Sequence, residues 1–241
     1  MKLLLIIPAY NEEANILNTV AQIRRFQSTA MEQVTVDYIV INDGSTDRTE
    51  QVCRENGINC LSLIRNLGIG GAVQTGYMYA YQKGYDIAVQ FDGDGQHDIR
   101  SLPDLIRPIL SGQADFVVGS RFLEGNNTFQ STFMRRLGIR NLSFLIRLVC
   151  RVRVMDVTSG YRAANRKVLR LLSRTYPVDY PEPETIVLLR KNGFRISEVS
   201  VNMFERTAGT SSIDFWKSIY YMIKVSFAIL CAGIQKKEVL E

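Results

Sequence analysis

Short, largely apolar runs alternate along this chain with longer stretches in which apolar residues recur every three or four positions. Leu3–Ile7, Val34–Ile41, Cys60–Ile64, Ile87–Phe91 and Phe116–Val118 are of the first kind and read as strands of a sheet covered on both faces. Between them, Ile16, Leu17, Val20 and Ile23 follow Glu12-Glu13, placing acid where the N-terminus of a helix favours it. Thr46–Glu50 opens a second helix, residues from the glycine-rich 66–71 through Tyr81 a third, and 101–111 a fourth. Strands alternating with helices of this size predict an α/β fold with parallel pairing and right-handed crossovers. Ligands of such sheets collect beyond the carboxyl ends of the strands. PAYNE, NDGSTD, RNLGIGG, FDGDGQHD and GSR all fall there, so five polar turns are expected on one rim.

The later chain has a different texture. From Met134 to Arg153 it is basic and apolar, and at about 100° per residue Arg136, Arg140, Arg147 and Arg151 share an arc of roughly 60°. This is the pattern of a basic amphipathic helix. The tail Ile213–Ile234 is more apolar but is interrupted by Lys217 and Lys224. A spanning helix needs about 20 apolar residues, so the tail is expected to lie in a membrane interface.

Composition narrows the picture little. The 241 residues are 46% hydrophobic and 22% charged, and one large α/β domain accommodates them. The four cysteines have no CxxC pairing and suit reduced intracellular thiols. The N-terminal MKLLLIIPAYNEE turns polar too soon for a signal peptide and is expected to be a strand. A net charge of +5 admits a nucleic acid, a phosphate ligand or an anionic membrane. No RRM, KH or helix-turn-helix pattern accompanies the arginines, which speaks against nucleic acid.

Residues 91–98, FDGDGQHD, pose the chemical question. Three aspartates and the only histidine, His97, fall within them. Asp-x-Asp on a turn after a strand suits a divalent cation: Mg²⁺ and Mn²⁺ take oxygen ligands, and Mg²⁺ commonly pairs one or two carboxylates with substrate phosphates. Turn and capping chemistry is the alternative reading of the same aspartates. With no second histidine a zinc site is disfavoured, and His97 is expected to be solvated or to support the turn from behind. There is no GxSxG, no P-loop, and Val73 stands where a dinucleotide fingerprint needs its third glycine.

Taken together, PAYNE at 8–12, NDGSTD at 42–47, RNLGIGGAVQTG at 65–76, DGDGQHD at 92–98, GSR at 119–121 and DVTSGYRA at 156–163 resemble glycosyltransferase family 2, over roughly residues 1–212. Within it they are similar to the polyprenyl-phosphate sugar transferases. The resemblance implies a GT-A fold with a mostly parallel, Rossmann-like sheet, followed over 213–241 by an amphipathic helix for a membrane interface, an oligomer or a partner. It also implies site roles. Pro8, Ala9, Tyr10 and Glu12 would touch the nucleotide, and Asp43 its base. Asp92, Asp94 and Gln96 would hold Mg²⁺ or Mn²⁺ and the diphosphate. Arg121, Arg135 and Ser212 would meet the acceptor phosphate, and Arg206 the leaving diphosphate. Ser212 stands where such enzymes often carry lysine.

The reaction implied is inverting transfer of a sugar to undecaprenyl phosphate for cell-envelope polysaccharide synthesis. The donor expected is UDP-glucose or UDP-N-acetylglucosamine, with GDP-mannose open. The setting would be the cytoplasmic face of a membrane, at an anionic surface, with a small membrane protein or a second copy as possible partner. A saccharide acceptor would instead want a carboxylate base, for which Glu182 or Glu184 in YPEPE are candidates; helix capping is the other reading of that segment. A nucleotide-sugar-binding protein or a nucleotidyltransferase is the remaining alternative.

Overall fold

The computed structural model describes residues 1–28, 34–123, 133–204 and 215–234. Along the chain these form β1 (Lys2–Ala9), α1 (Ile16–Ser28), β2 (Thr35–Asn42), α2 (Thr49–Glu55), β3 (Cys60–Ser62), α3 (Gly68–Gln82), β4 (Ile87–Gln90), α4 (Leu102–Leu110) and β5 (Phe116–Ser120). There follow α5 (Phe133–Cys150), β6 (Arg162–Asn165), α6 (Arg166–Leu172), α7 (Pro181–Lys191), β7 (Ile196–Ser200) and α8 (Phe215–Ile234). One seven-stranded sheet runs in the order β3-β2-β1-β4-β6-β5-β7. The pairs β1–β2, β1–β4, β2–β3 and β5–β7 are parallel. The sheet is mostly parallel, as expected; β6, a strand not read from the sequence, runs antiparallel between β4 and β5.

Alternation along the strands divides the interior into two cores, because successive side chains leave a strand on opposite faces. Leu4 and Ile6 of β1 join α3, α6 and α7 on one face, with Tyr77, Val168 and Val187. Leu3, Leu5 and Ile7 join α1 and α4 on the other, with Ile16, Val20, Leu102 and Leu105. A strand buried on both sides is what a fully apolar run predicts, and β1 is buried from Leu3 to Ala9.

The tail helix α8 packs on this same domain. Val225 and Ile229 are fully buried in the core they share with Ile139, Leu142 and Ile146 of α5. Lys191 at the end of α7 donates a 2.9 Å hydrogen bond to the Ala232 carbonyl. Contact between α5 and α8 is close at two glycines. A Cβ on Gly138 would lie 3.0 Å from Met222 Sδ, and one on Gly233 would lie 2.6 Å from Val149 Cγ1. The equal spacing of these contacts along both helices shows that they run parallel and in register. Their outward faces mix basic and apolar side chains: Leu137, Phe144 and Leu148 of α5 and Ile223, Phe227, Leu230 and Ile234 of α8 are all exposed, as are Arg136, Arg140, Arg147 and Lys224. Among the described residues, no helix is long and apolar enough to cross a membrane.

Candidate active site

The carboxyl ends of β1, β2 and β4 form one rim, and the polar turns leaving them are tied to one another. Asn11 takes a left-handed backbone, φ 57°. Among residues with a side chain, asparagine tolerates this best, because its short amide can hydrogen-bond locally. Here Asn11 Oδ1 accepts from the backbone N–H of Thr46 at 2.9 Å, and the Asn11 N–H donates to Ser45 Oγ at 3.0 Å. Glu12 N–H donates to Thr49 Oγ1 and Glu13 N–H to Asp47, which binds PAYNE to NDGSTD. Asp43 is buried and accepts from Leu67 N–H at 2.7 Å, linking the second turn to the third. Pro8 and Ala9 are buried in β1, whereas Tyr10 is exposed at the rim. Glu12 accepts from its neighbour Asn15.

Beyond β4 the acidic turn folds around its histidine. His97 is only 3% exposed and stacks on Tyr161, with ring centroids 4.6 Å apart and planes 11° apart. Its Nδ1 accepts from the Asp92 backbone N–H at 3.0 Å, so the ring proton resides on Nε2, 3.4 Å from Asp92 Oδ2. Burial lowers the imidazole's proton affinity despite the neighbouring Asp92 and Asp94, which keeps it neutral and fixed in this tautomer. His97 is therefore a support for Asp92 from behind; the solvated alternative is the one the structure sets aside. Gln90 donates to Asp92 Oδ1 at 3.2 Å from the other side. Gly160 closes the third: a Cβ there would stand 2.7 Å from Asp92 Oδ2. Asp94 Oδ1 accepts the backbone N–H of Gln96 at 3.1 Å. The Gln96 carbonyl accepts from Phe204 N–H, so the segment leading to residue 205 is laced to the acidic turn.

Two arginines, both buried, organise the antiparallel side. Arg121 grips Asp156 through Nε and Nη2 at 2.7 Å each, and Thr158 accepts from Nη2 as well. Glu198 of β7 accepts the backbone N–H groups of Met155 and Asp156 at 2.8 and 2.7 Å. Arg121 thus reaches the rim as one half of a buried ion pair, which fixes the GSR turn to DVTSGYRA. Arg162 donates to three backbone carbonyls: Ser159 at 2.6 Å, Glu182 at 2.6 Å and Val157 at 3.0 Å. One guanidinium therefore clamps the loop carrying Gly160 to the first turn of α7.

The two glutamates of that turn differ. Glu184 accepts from Tyr180 N–H at 3.2 Å, which is the capping role open to it from the sequence. Glu182 has its carboxyl raised above the usual range by burial, partly offset by Arg162, and Asp92 adds to the rise. Glu182, and not Glu184, is the carboxyl electrostatically joined to the acidic turn. Arg135 lies in the first turn of α5, with its side chain outside the described residues; Arg206 and Ser212 lie outside them altogether.

The donor set fits a hard divalent ion shared with a ligand. Among the described residues no group of three or more His, Cys, Asp or Glu side chains could hold a metal by itself. Asp92 and Asp94 supply two carboxylates on one turn, and the remaining oxygens of an octahedral ion would have to come from a diphosphate and water. Asn11, Arg162 and Glu198 are site residues that sequence reasoning missed. Asn11, inside PAYNE, and Arg162, inside DVTSGYRA, lie in quoted motifs, but the Arg162 bond to Glu182 and both bonds of Glu198 reach partners distant in the chain.

The family model for Glycosyl transferase family 2 matches residues 4–172. A UDP-N-acetylglucosamine–dolichyl-phosphate N-acetylglucosaminyltransferase of Methanococcus voltae is 30% identical, the match covering 91% of this chain and 94% of that one. An undecaprenyl-phosphate mannosyltransferase of Micrococcus luteus is 28% identical, with 89% and 88% covered. Among solved structures, glucosyl-3-phosphoglycerate synthase from Mycobacterium tuberculosis, in complex with Mn²⁺, UDP and phosphoglyceric acid, superposes with a TM-score of 0.69. At 20% identity, over 98% of this chain and 80% of that one, it establishes a shared GT-A fold.

Proposed function

The chain belongs to glycosyltransferase family 2 and is a hexosyltransferase, and from that premise we propose that it moves a sugar from a UDP-sugar to a polyprenyl phosphate at a membrane surface. The observation that carries the donor half is the acidic turn: Asp92 is braced on three sides, and Asp94 stands beside it, where β4 opens on the nucleotide rim. The acceptor half rests on relatives named for dolichyl and undecaprenyl phosphates that match along nearly the whole chain. Glucose or N-acetylglucosamine is the sugar proposed, since UDP appears both in the Methanococcus name and in the M. tuberculosis complex.

In this reading the nucleotide lies over Pro8, Ala9, Tyr10 and Glu12, with its base against Asp43. Asp92 and Asp94, with Gln96, would hold Mg²⁺ or Mn²⁺, which would supply charge neutralisation to the diphosphate when bound. An oxygen of the acceptor phosphate forms the new bond to the anomeric carbon while the bond from that carbon to the diphosphate oxygen breaks. Configuration inverts and nucleoside diphosphate leaves. The nucleophile is already an anion, so no residue must remove a proton, and Glu184 is free to cap α7. Arg121 and Arg135 are assigned to the acceptor phosphate. Arg206 and Ser212 are assigned to the leaving group and acceptor on resemblance. The exposed apolar faces of α5 and α8, flanked by arginines, suit a peripheral seat on an anionic bilayer.

A hydroxyl acceptor is the second reading, favoured by the raised carboxyl of Glu182 beside Asp92. One experiment separates the two. UDP-glucose, UDP-N-acetylglucosamine and a mannosyl donor are incubated with Mg²⁺ or Mn²⁺ and undecaprenyl phosphate, and nucleoside diphosphate and products are scored. An acid-labile, organic-extractable sugar phospholipid is expected; a soluble glycoside as sole product would reject the lipid acceptor.

A further inference from the structure

The end of α5 opposite the rim holds a feature that sugar transfer leaves unused. A shallow, open cavity of about 380 Å³ is lined by Arg147, Arg151, Val152 and Arg153. All three arginines are exposed, and no ion pair among the described residues engages them. The backbone bends to assemble them. Arg151 takes φ 53° just past the helix, a place where glycine is the usual occupant because a Cβ costs about 1 kcal/mol there. The carbonyl end of α5 carries roughly half a negative charge, which three full positive charges outweigh.

Two neighbours say what such a cavity would meet. On α5, Leu148 lies beside Arg147 and is 66% exposed; at the same level of α8, Leu230 and Ile234 are 44% and 86% exposed. The C-terminal ends of α7 and α8 also meet here, through Lys191 and Ala232. α7 has 11 residues and begins at Pro181, with Glu182 of its first turn near Asp92. At about 1.5 Å per residue the Lys191 end of α7 is roughly 15 Å from its first turn, on the side of the basic cluster. Unpaired guanidiniums around a cavity, bordered by apolar side chains facing outward, are complementary to a phosphate that sits above acyl chains.

We propose that Arg147, Arg151 and Arg153 form a binding site for the headgroup phosphate of an anionic phospholipid, separate from the acceptor site, which anchors the α5–α8 ridge on the bilayer. The inference rests on the membrane-surface reading above and adds a defined ligand and place to it.

Flotation of the full chain with vesicles of phosphatidylcholine, alone or mixed with phosphatidylglycerol, tests it. Wild type is expected to bind the mixed vesicles and not the neutral ones. Arg147→Gln/Arg151→Gln/Arg153→Gln should lose roughly a hundredfold in partition, about the worth of three cations at such a surface. Arg136→Gln/Arg140→Gln/Lys224→Gln removes the same charge elsewhere on the ridge and should lose at least several-fold less. The single variant Arg153→Gln, in the loop, should already lose several-fold, and unchanged thermal unfolding and UDP binding would show all three variants folded. Equal losses in the two triple variants would overturn the site in favour of a diffuse charged face. Failure of wild type to bind the mixed vesicles would overturn it outright. Displacement by millimolar inorganic phosphate would reassign the cavity to a soluble anion, and vesicle-independent dimerisation abolished by the first triple would reassign it to a second copy of the chain. Nucleoside diphosphate release with detergent-dispersed undecaprenyl phosphate keeps the two readings apart: its presence upholds the transferase even if the vesicle result fails.

Discussion

The rim and the α5–α8 ridge break the ordinary rule of burial in opposite directions. At the rim, charged and polar groups are inside: Asp94, His97, Asp98, Asp156 and Arg162 are each less than a tenth exposed. On the ridge, apolar groups are outside: Phe144, Leu148, Phe227 and Ile234 are each more than 60% exposed. Burying charge is costly unless every group finds a partner, and exposing large apolar side chains in one patch wastes hydrophobic stabilisation. A fold accepts either cost at places where something else is to be bound. At the rim the groups are held rigidly by one another, as positioning a small charged ligand requires. The ridge leaves its groups uncommitted, as a broad fluid surface requires.

Mutations should therefore act on different observables in the two places. Asp94→Asn should lower turnover roughly 10²–10³-fold, the scale of removing one preorganised electrostatic group, without altering vesicle binding. Near-normal turnover in that variant would remove the rim from the chemistry. Arg162→Met leaves three buried carbonyls without their donor, each worth about 1–3 kcal/mol. A fall in melting temperature on the order of 10 °C is expected by calorimetry. Phe227→Ser, on the ridge, should leave that temperature nearly unmoved yet cut vesicle partition by about tenfold or more, the worth of burying a phenyl ring. Equal destabilisation by Phe227→Ser would mean the ridge is a core face after all. Gly160→Ala intrudes a methyl on Asp92, and overpacking of about 1–3 kcal/mol should raise the donor KM by roughly tenfold with kcat less affected.

The smallest expected effect comes from a polar pair outside both regions. Burial opposes ionisation of Asp115, but the Arg195 side chain and backbone N–H and the Asn165 amide outweigh it, so the carboxyl lies below the usual range. A depressed folded value contributes stability above the unfolded value, near pH 4, and loses it as pH falls through the folded one. With Arg195 exposed, the contribution is under about 1 kcal/mol. Asp115→Asn should flatten the unfolding curve below about pH 4 and change neither turnover nor vesicle binding.

The same contrast explains what could be read from the chain. β1 and β4 are contiguous apolar runs, and their turns hold chemistry in a few adjacent residues, so strand, rim and Asp-x-Asp were all legible. The arginine arc of α5 was legible because a helix repeats itself locally. By contrast, β6 is Arg-Ala-Ala-Asn and β7 is half-buried throughout, so neither shows the periodicity of a strand. Nothing local marks Arg162 as a clamp on the carbonyl of Glu182, 20 residues away, or Tyr161 as the platform for His97. Sequence alone leaves Glu184 open as base or cap, because the Tyr180 N–H it accepts becomes its neighbour only once α7 has formed.

Calorimetric titration of the UDP-sugar donor tests the central claim most directly. Donor binding is expected to require Mg²⁺ or Mn²⁺, to vanish on chelation, and to fall by at least tenfold in Asp92→Asn/Asp94→Asn. Equal affinity with and without the ion, and with and without the two carboxylates, would contradict the account of the rim.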